Sequence, residues 1–213
     1  RVLRTSPSPA SDFEIGRVYS LSTLAAVQLA RYVRELGYSA RAHHVYNYGV
    51  LVAPVAVDAG MGELGRCGHL ITKEYGANVR LSRVTTDLPL ELDPPVNLGV
   101  RDFCRKCLKC VRTCPAGAIP AGEPVVVRGV SKWLMDPVRC LLYWDAQGAA
   151  CSICQVICPW SKPPTAIHRL VAEVAVRVPF ARRFLALADD LVYGRQYRQR
   201  ALSPWAGDDF ASE

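Results

Sequence analysis

Eight of the nine cysteines in this 213-residue chain lie between residues 104 and 158, and their spacing limits the chemistry open to them. The first group reads Cys104-Arg-Lys-Cys107-Leu-Lys-Cys110-Val-Arg-Thr-Cys114-Pro115. The second comprises Cys140 and Cys151-Ser-Ile-Cys154-Gln-Val-Ile-Cys158-Pro159. The first is the C-x2-C-x2-C-x3-C-P run of bacterial ferredoxins, in which three close thiolates grip one [4Fe–4S] cube and the fourth crosses to another. The second keeps the C-x2-C-x3-C-P tail, with its first cysteine eleven residues ahead of Cys151. The crossing rule gives Cys104, Cys107, Cys110 and Cys158 to one cluster and Cys140, Cys151, Cys154 and Cys114 to the other. Cys67 is left over and is expected to be a buried or pocket-wall thiol. Structural zinc wants two C-x2-C pairs across a longer loop, and cysteines two apart on a tight turn seldom form disulfides, so both fit the pattern badly.

Four cations stand among the first group: Arg105, Lys106, Lys109 and Arg112. Positive charge there favours thiolate and offsets the negative charge of a ligated cluster. It also suits a solvated basic loop that meets an acidic electron donor. The net charge of +7 counts the cysteines as neutral. Ligating thiolates change that balance, so the charge does not by itself point to nucleic acid or membrane. Half of the residues are hydrophobic, enough for one substantial core or two modest ones. No apolar run spans a bilayer, no signal segment is recognisable, and nothing repeats beyond the two cysteine groups. The chain opens on Arg1 and reads as a fragment or processed form.

The elements that must position this chemistry follow from local pattern. Residues 1–18, Ser/Pro-rich at first, read as a loop. Ser20 is placed to cap a helix to about Glu35, with Leu21, Leu24, Ala25, Leu29, Tyr32, Val33 and Leu36 at helical spacing and Gly37 as the stop. Tyr38 to Val45 suggests a strand, and Val50 to Val57 a strand giving way to a helix near Pro54. His43 and His44 have no third ligand at metal spacing and read as strand residues. Gly60, Gly62 and Gly65 within Asp58-Ala-Gly-Met-Gly-Glu-Leu-Gly-Arg66 imply backbone that passes close to something. Leu70–Thr72 and Val79–Thr86 read as a hairpin joined through Tyr75 to Asn78. On that second strand Arg80 faces opposite to Val79 and Leu81, and Arg83 takes the other face. Asp87 to Pro95 marks a boundary, and Glu123 to Val130 a strand. Helices from Thr165 to about Val176 and from Pro179 to about Leu191 carry apolar stripes (Ile167, Leu170, Val171, Val174; Phe180, Phe184, Leu185, Leu187, Leu191) expected to pack on the cluster domain.

Several stretches resemble the corrinoid-dependent reductive dehalogenases. They are Val55-Ala-Val-Asp-Ala-Gly-Met-Gly-Glu-Leu-Gly-Arg66, Leu70-Ile-Thr-Lys-Glu-Tyr-Gly76, Asn78-Val-Arg80-Leu81 and Thr86-Asp-Leu-Pro-Leu90. The cluster segment adds Asp102-Phe-Cys104-Arg-Lys-Cys107-Leu-Lys-Cys110, Asp136-Pro-Val-Arg-Cys140 and Cys158-Pro-Trp160-Ser-Lys162. The likeness runs from about residue 17 onward and corresponds to the C-terminal half of a typical member. It implies an α+β chain. Residues 1–98 would be part of a nitroreductase-like corrinoid-binding domain, 99–164 a ferredoxin-like domain with two [4Fe–4S] clusters, and 165–213 a helical extension.

The resemblance further implies removal of halide from an organohalide, with two electrons passing through the clusters to a corrinoid (cobalamin) cobalt. Gly60, Gly62 and Gly65 would line the cofactor. The family's proton-donating tyrosine matches Tyr19, with Tyr46 and Tyr38 as alternatives; its arginine matches Arg80 and its polar partner Asn47. A guanidinium beside a phenol favours phenolate and eases loss of the proton. The implied partners are the organohalide, a reduced carrier or quinol-linked electron donor and, for exported members, a small membrane anchor; other members stay cytoplasmic, so location stays open. No nucleic acid is expected. Epoxyqueuosine reductases share the two-cluster pattern, the Gly-x-Gly stretch and the Cys-Pro-Trp ending, which keeps a tRNA-modifying corrinoid enzyme as an alternative, along with a ferredoxin-type carrier. Gly62 to Arg66, Arg80 and the lack of a helical-repeat tail after Trp160 favour the dehalogenases.

Overall fold

The computed structural model describes residues 2–45 and 47–201. A short 3-10 turn at Val2–Thr5 leads into α1 (Pro9–Glu35), a helix of 27 residues. It begins well ahead of Ser20 because Ser8 caps it reciprocally with Ser11, and Pro9 supplies a preset φ in the first turn. Ser20 instead lies inside the helix, its hydroxyl donating to the Gly16 carbonyl at 3.0 Å. The Ser/Pro-rich opening was therefore a helix start and not a loop.

Strand β1 (Ala40–His43) follows, then α2 (Val52–Asp58) with Pro54 in its first turn, β2 (Glu63–Leu64), β3 (Leu70–Ile71) and β4 (Arg83–Thr86). The expected hairpin does not form. β3 pairs antiparallel with β2, and β4 pairs with β1 in the register Ala40↔Thr86 to His43↔Arg83. The Tyr75–Gly76 turn closes on itself through Thr72 and Gly76, which exchange backbone bonds at 3.0 and 3.1 Å. Residues 79–82 leave as an irregular segment, so Arg80 lies outside the strand. Buried Ala26, Ala30 and Val33 of α1 set the helix against the β1–β4 pair.

The cysteine region is helical: α3 (Val100–Cys107), α4 (Lys109–Thr113), α5 (Pro137–Gln147) and α6 (Ile153–Val156), the first two joined through Leu108 in a left-handed conformation (φ 52°). Between α4 and α5 lie β5 (Val125–Val127) and β6 (Val130–Lys132). They form a hairpin where a single strand was expected, because Arg128 and Gly129 both take positive φ, as a two-residue turn requires. Helices α7 (Ala166–Arg177) and α8 (Ala181–Tyr193) lie close to their expected limits.

Their stripes pack only in part, with Leu185 lying against the core. Ile167, Leu170, Phe180, Phe184, Leu187 and Leu191 are exposed. The helices dock instead through small Ala175 and Ala186 and through Arg182, which donates to the Ala175 and Val176 carbonyls at 2.7 and 3.0 Å and to Asp102 of α3 at 3.2 Å. One core draws on all three stretches read from sequence: Ile71, Ala77, Leu98, Val100, Phe103, Trp160, Ala175 and Ala186. Val100 is 0% exposed and Phe103 4%; burying a side chain of that size contributes about 1.5–3 kcal/mol. No helix among the described residues is long and apolar enough to cross a membrane.

Candidate functional site

The cysteine scaffold is tied to the upstream half by two side chains that spacing alone does not reveal. Helix α3 starts at Gly99, which has no side chain to cap it. Glu63 of β2 does so from a distance, its carboxylate accepting from the Leu98 and Val100 N–H groups at 2.7 and 3.0 Å. Arg66 reaches the same region and donates to the carbonyls of Cys104, Pro120 and Gly122 at 3.1, 2.8 and 2.8 Å. The first-group cations are engaged within the chain: Arg105 with Glu123, Lys106 with Asp102, Arg112 with Asp190, and Lys109, fully buried, with Asp189. Asp189 also takes Lys162 at 3.0 Å, which clamps α8 onto α4. Arg105, Lys106 and Arg112 stay exposed to solvent while paired, and Lys109 is the buried one of the four.

None of the nine cysteines is in a disulfide. Cys104, Cys107, Cys110 and Cys158 border one narrow internal space, which Cys154 and Cys67 also touch. Cys114, Cys140, Cys151 and Cys154 border a second, larger cavity. Among the described residues no three His, Cys, Asp or Glu side chains close round a point as a single ion requires; the thiols edge two spaces instead. Burial pushes the thiols up, Cys104 to about 12, with Cys107, Cys140, Cys151 and Cys158 also raised. Such thiols lose their protons when a metal replaces them. Cys67, 3% exposed, borders both spaces together with Cys154, and the interaction of the two pulls the Cys67 thiol down and pushes Cys154 up.

The second cavity, about 690 Å³, runs from these cysteines to Tyr19 and Arg80. The Arg80 guanidinium carbon lies 5.2 Å from the centre of the Tyr19 ring. Nη1 of Arg80 donates to the Val79 carbonyl at 3.1 Å and to Gln155 Oε1 at 3.3 Å; Gln155 Nε2 in turn meets the His69 ring at 3.3 Å. The Arg80 Nε is buried with no partner among the described residues. Two ties fix the pair: Ser82 donates to the Ser22 carbonyl of α1 at 2.8 Å, and Asp12 of α1 accepts from the Ala150 N–H at 2.9 Å, beside Cys151. Tyr48, His69 and Gln155 line the cavity although no sequence signal selected them; the place of Gln155 directly after Cys154 is the one clue.

Other expected site residues stand elsewhere. Asn47 is not among the cavity's lining; its amide oxygen accepts from Arg41 at 3.4 Å. Tyr38 is also away from the cavity, and Tyr46 lies outside the described residues. Gly60, Gly62 and Gly65 do not line it either, and their close neighbours belong to this chain. A Cβ on Gly60 would stand 2.6 Å from the Pro94 carbonyl oxygen, one on Gly62 would strike the Ile71 carbonyl, and one on Gly65 would stand 2.8 Å from the Ile71 side chain. Gly65 does border the first cysteine space. His43 is buried, with Nε2 on Thr85 at 3.0 Å. Arg83 heads β4, with two guanidinium nitrogens buried and without a partner among the described residues.

A profile for the 4Fe-4S dicluster domain matches residues 103–162. The tetrachloroethene reductive dehalogenase of Desulfitobacterium hafniense is 41% identical over 197 residues, 85% of this chain and 35% of that protein. A solved catabolic reductive dehalogenase superposes with a TM-score of 0.87 at 30% identity, over 95% of this chain and 33% of that one. Another, described as suggesting a mechanism for B12-dependent dehalogenation, gives 0.86 at 29% over 95% and 34%. The epoxyqueuosine reductase of Escherichia coli matches only 53% of the chain, at 31% identity. The chain thus spans about a third of the length of the dehalogenases it matches. In sequence and in fold it belongs with the reductive dehalogenases.

Proposed function

We propose that this chain is the electron-delivering part of a corrinoid-dependent reductive dehalogenase. The overall reaction takes an organohalide, two electrons and one proton to the hydrogen-substituted product and halide. The observation that carries this reading is the single cavity with the Tyr19–Arg80 pair on its wall and Cys114, Cys140, Cys151 and Cys154 bordering it. Two [4Fe–4S] clusters on crossed ligands suit the two cysteine-lined spaces, one bordered by Cys104, Cys107, Cys110 and Cys158. The corrinoid suits the larger cavity, whose wall is mostly apolar, including Val52, Ala53, Val79 and Leu81. Its remaining walls would come from a nitroreductase-like domain completed outside this chain. When bound, it supplies a reduced cobalt that can break a carbon–halogen bond.

The protein's own part is orientation, a proton and charge. Tyr19 donates its phenolic proton to the carbon that loses halide. Arg80 faces the ring and stabilises the phenolate left behind, a charge-assisted contact that gains strength where water is excluded. Gln155 and the Val79 carbonyl hold the guanidinium in place. Asn47, held by Arg41, has no part in this reading. A reduced carrier or quinol-linked donor would feed the clusters, and a membrane anchor would apply to an exported parent.

Arg80→Lys and Tyr19→Phe in the full-length parent test this. A mobile ammonium does not replace a fixed fork, and losing such an electrostatic group costs about 10²–10³ in rate. Both variants are expected to keep iron, sulfide and cobalt at wild-type levels while dehalogenation falls by that factor. Normal turnover in both would refute the assignment.

A further inference from the structure

Arg66 is 2% exposed, and Lys109 and Arg182 are buried as well. Those two have carboxylates: Lys109 pairs with Asp189, and Arg182 with Asp102 at 3.2 Å. Arg66 has none among the described residues. Its three hydrogen bonds all go to neutral carbonyls, and its guanidinium lies 4.3 Å from the centre of the Trp133 ring. The Trp133 indole N–H donates to the same Gly122 carbonyl at 2.8 Å. Carbonyls and a ring face satisfy the donors without cancelling the charge, and a lone buried cation is costly unless an anion stands near it.

One wall of Arg66 faces such a place. It borders the space enclosed by Cys104, Cys107, Cys110 and Cys158, and its Nε donates to the carbonyl of the ligand residue Cys104 at 3.1 Å. It is absent from the lining of the other cysteine space. Four thiolates with their iron and sulfide carry net negative charge, and that charge grows by one unit on one-electron reduction with no bond made or broken. A fixed cation at the wall stabilises the reduced state more than the oxidised one.

We propose that Arg66 is the built-in counter-charge of the cluster held by Cys104, Cys107, Cys110 and Cys158, and that it raises the reduction potential of that cluster alone. This rests on the two-cluster reading above. Net charge beside the cluster is one of the levers by which a protein sets such a potential, and Arg66 supplies it from the wall.

The test is a redox titration of the cluster-loaded protein, followed by electron paramagnetic resonance, for wild type, Arg66→Gln and Arg66→Lys. Arg66→Gln is expected to disfavour reduction of one cluster about tenfold, a fall of ~59 mV for a one-electron couple, while the other midpoint stays put. Arg66→Lys keeps the charge but loses the fork, and is expected to move that midpoint by less than half as much. A Gln variant that cannot retain the first cluster, beside a Lys variant that holds it at near wild-type potential, also supports the charge requirement. Equal behaviour of the two variants – both unshifted, both equally shifted or both short of iron – overturns the proposal, because Arg66 would then act only by bracing the loop. Wild-type protein that takes up no iron would overturn the cluster reading itself, and the iron assay tells that failure from the other.

Discussion

The two cysteine sets follow similar spacing rules and sit in different surroundings. Cys104, Cys107 and Cys110, with Cys158, are set into the core. Phe103 meets Trp160 edge to face at 5.6 Å, the Asp189 clamp backs α4, and Arg66 closes one wall. Cys140, Cys151 and Cys154, with Cys114, border an open cavity, and α5, which carries Cys140, leaves Val138, Leu141 and Leu142 exposed. The first set therefore has its dielectric and charge fixed by this chain. The second shares its surroundings with whatever enters beside Tyr19 and Arg80. On the proposed function, that difference separates a cluster that holds and relays an electron from one that hands it over.

Ligand removal is the strongest way to break this comparison. Cys158→Ala and Cys154→Ala should each lose about four iron per chain and extinguish different paramagnetic signals. Cys158→Ala should match Cys104→Ala, and Cys114→Ala should match Cys151→Ala. Loss of one and the same signal in Cys158→Ala and Cys154→Ala would show that ligation is not crossed. Next comes the clamp behind the first set. Asp189→Asn strips the close counter-charge from Lys109, which is 0% exposed, and from Lys162, whose ammonium burial already pulls down. Breaking a buried pair from one side costs about 3 kcal/mol, so the denaturation midpoint should fall by a matching amount; an unchanged midpoint would mean that Asp190 suffices.

Glu63→Ala removes the remote cap of α3 and is expected to cost about 1–2 kcal/mol, with Glu63→Gln recovering part of it in the same unfolding measurement. The smallest effect belongs to Cys67, which touches both spaces without being counted as a ligand. Cys67→Ser keeps a donor beside Cys154 and should leave iron and sulfide unchanged; loss of iron would make Cys67 a ligand.

The cysteine chemistry was legible because ligand spacing is local: a C-x2-C turn points its thiols together whatever surrounds it. Strand pairing was not. Leu70–Thr72 and Val79–Thr86 carry suitable residues and a turn between them, yet β4 finds β1, from Ala40↔Thr86 to His43↔Arg83, far away along the chain. Helix docking failed similarly, since Phe184 and Leu187 mark an apolar face while Ala186 and Arg182 make the buried contact. Tyr19 and Arg80 came into view through family resemblance; pattern alone would have made them a packing residue and a surface cation. Glu63, Arg66 and Gln155 act on groups 35, 38 and 75 residues away, a range at which no periodicity or cap signal operates.

On the proposed function this chain carries two clusters on two distinct thiol sets. Anaerobic determination of iron and acid-labile sulfide on the loaded protein tests it most directly. The expected result is about eight of each per chain, four for each [4Fe–4S] cluster, with two separable signals on reduction. Zinc in place of iron, or about four iron with a single signal, would contradict it.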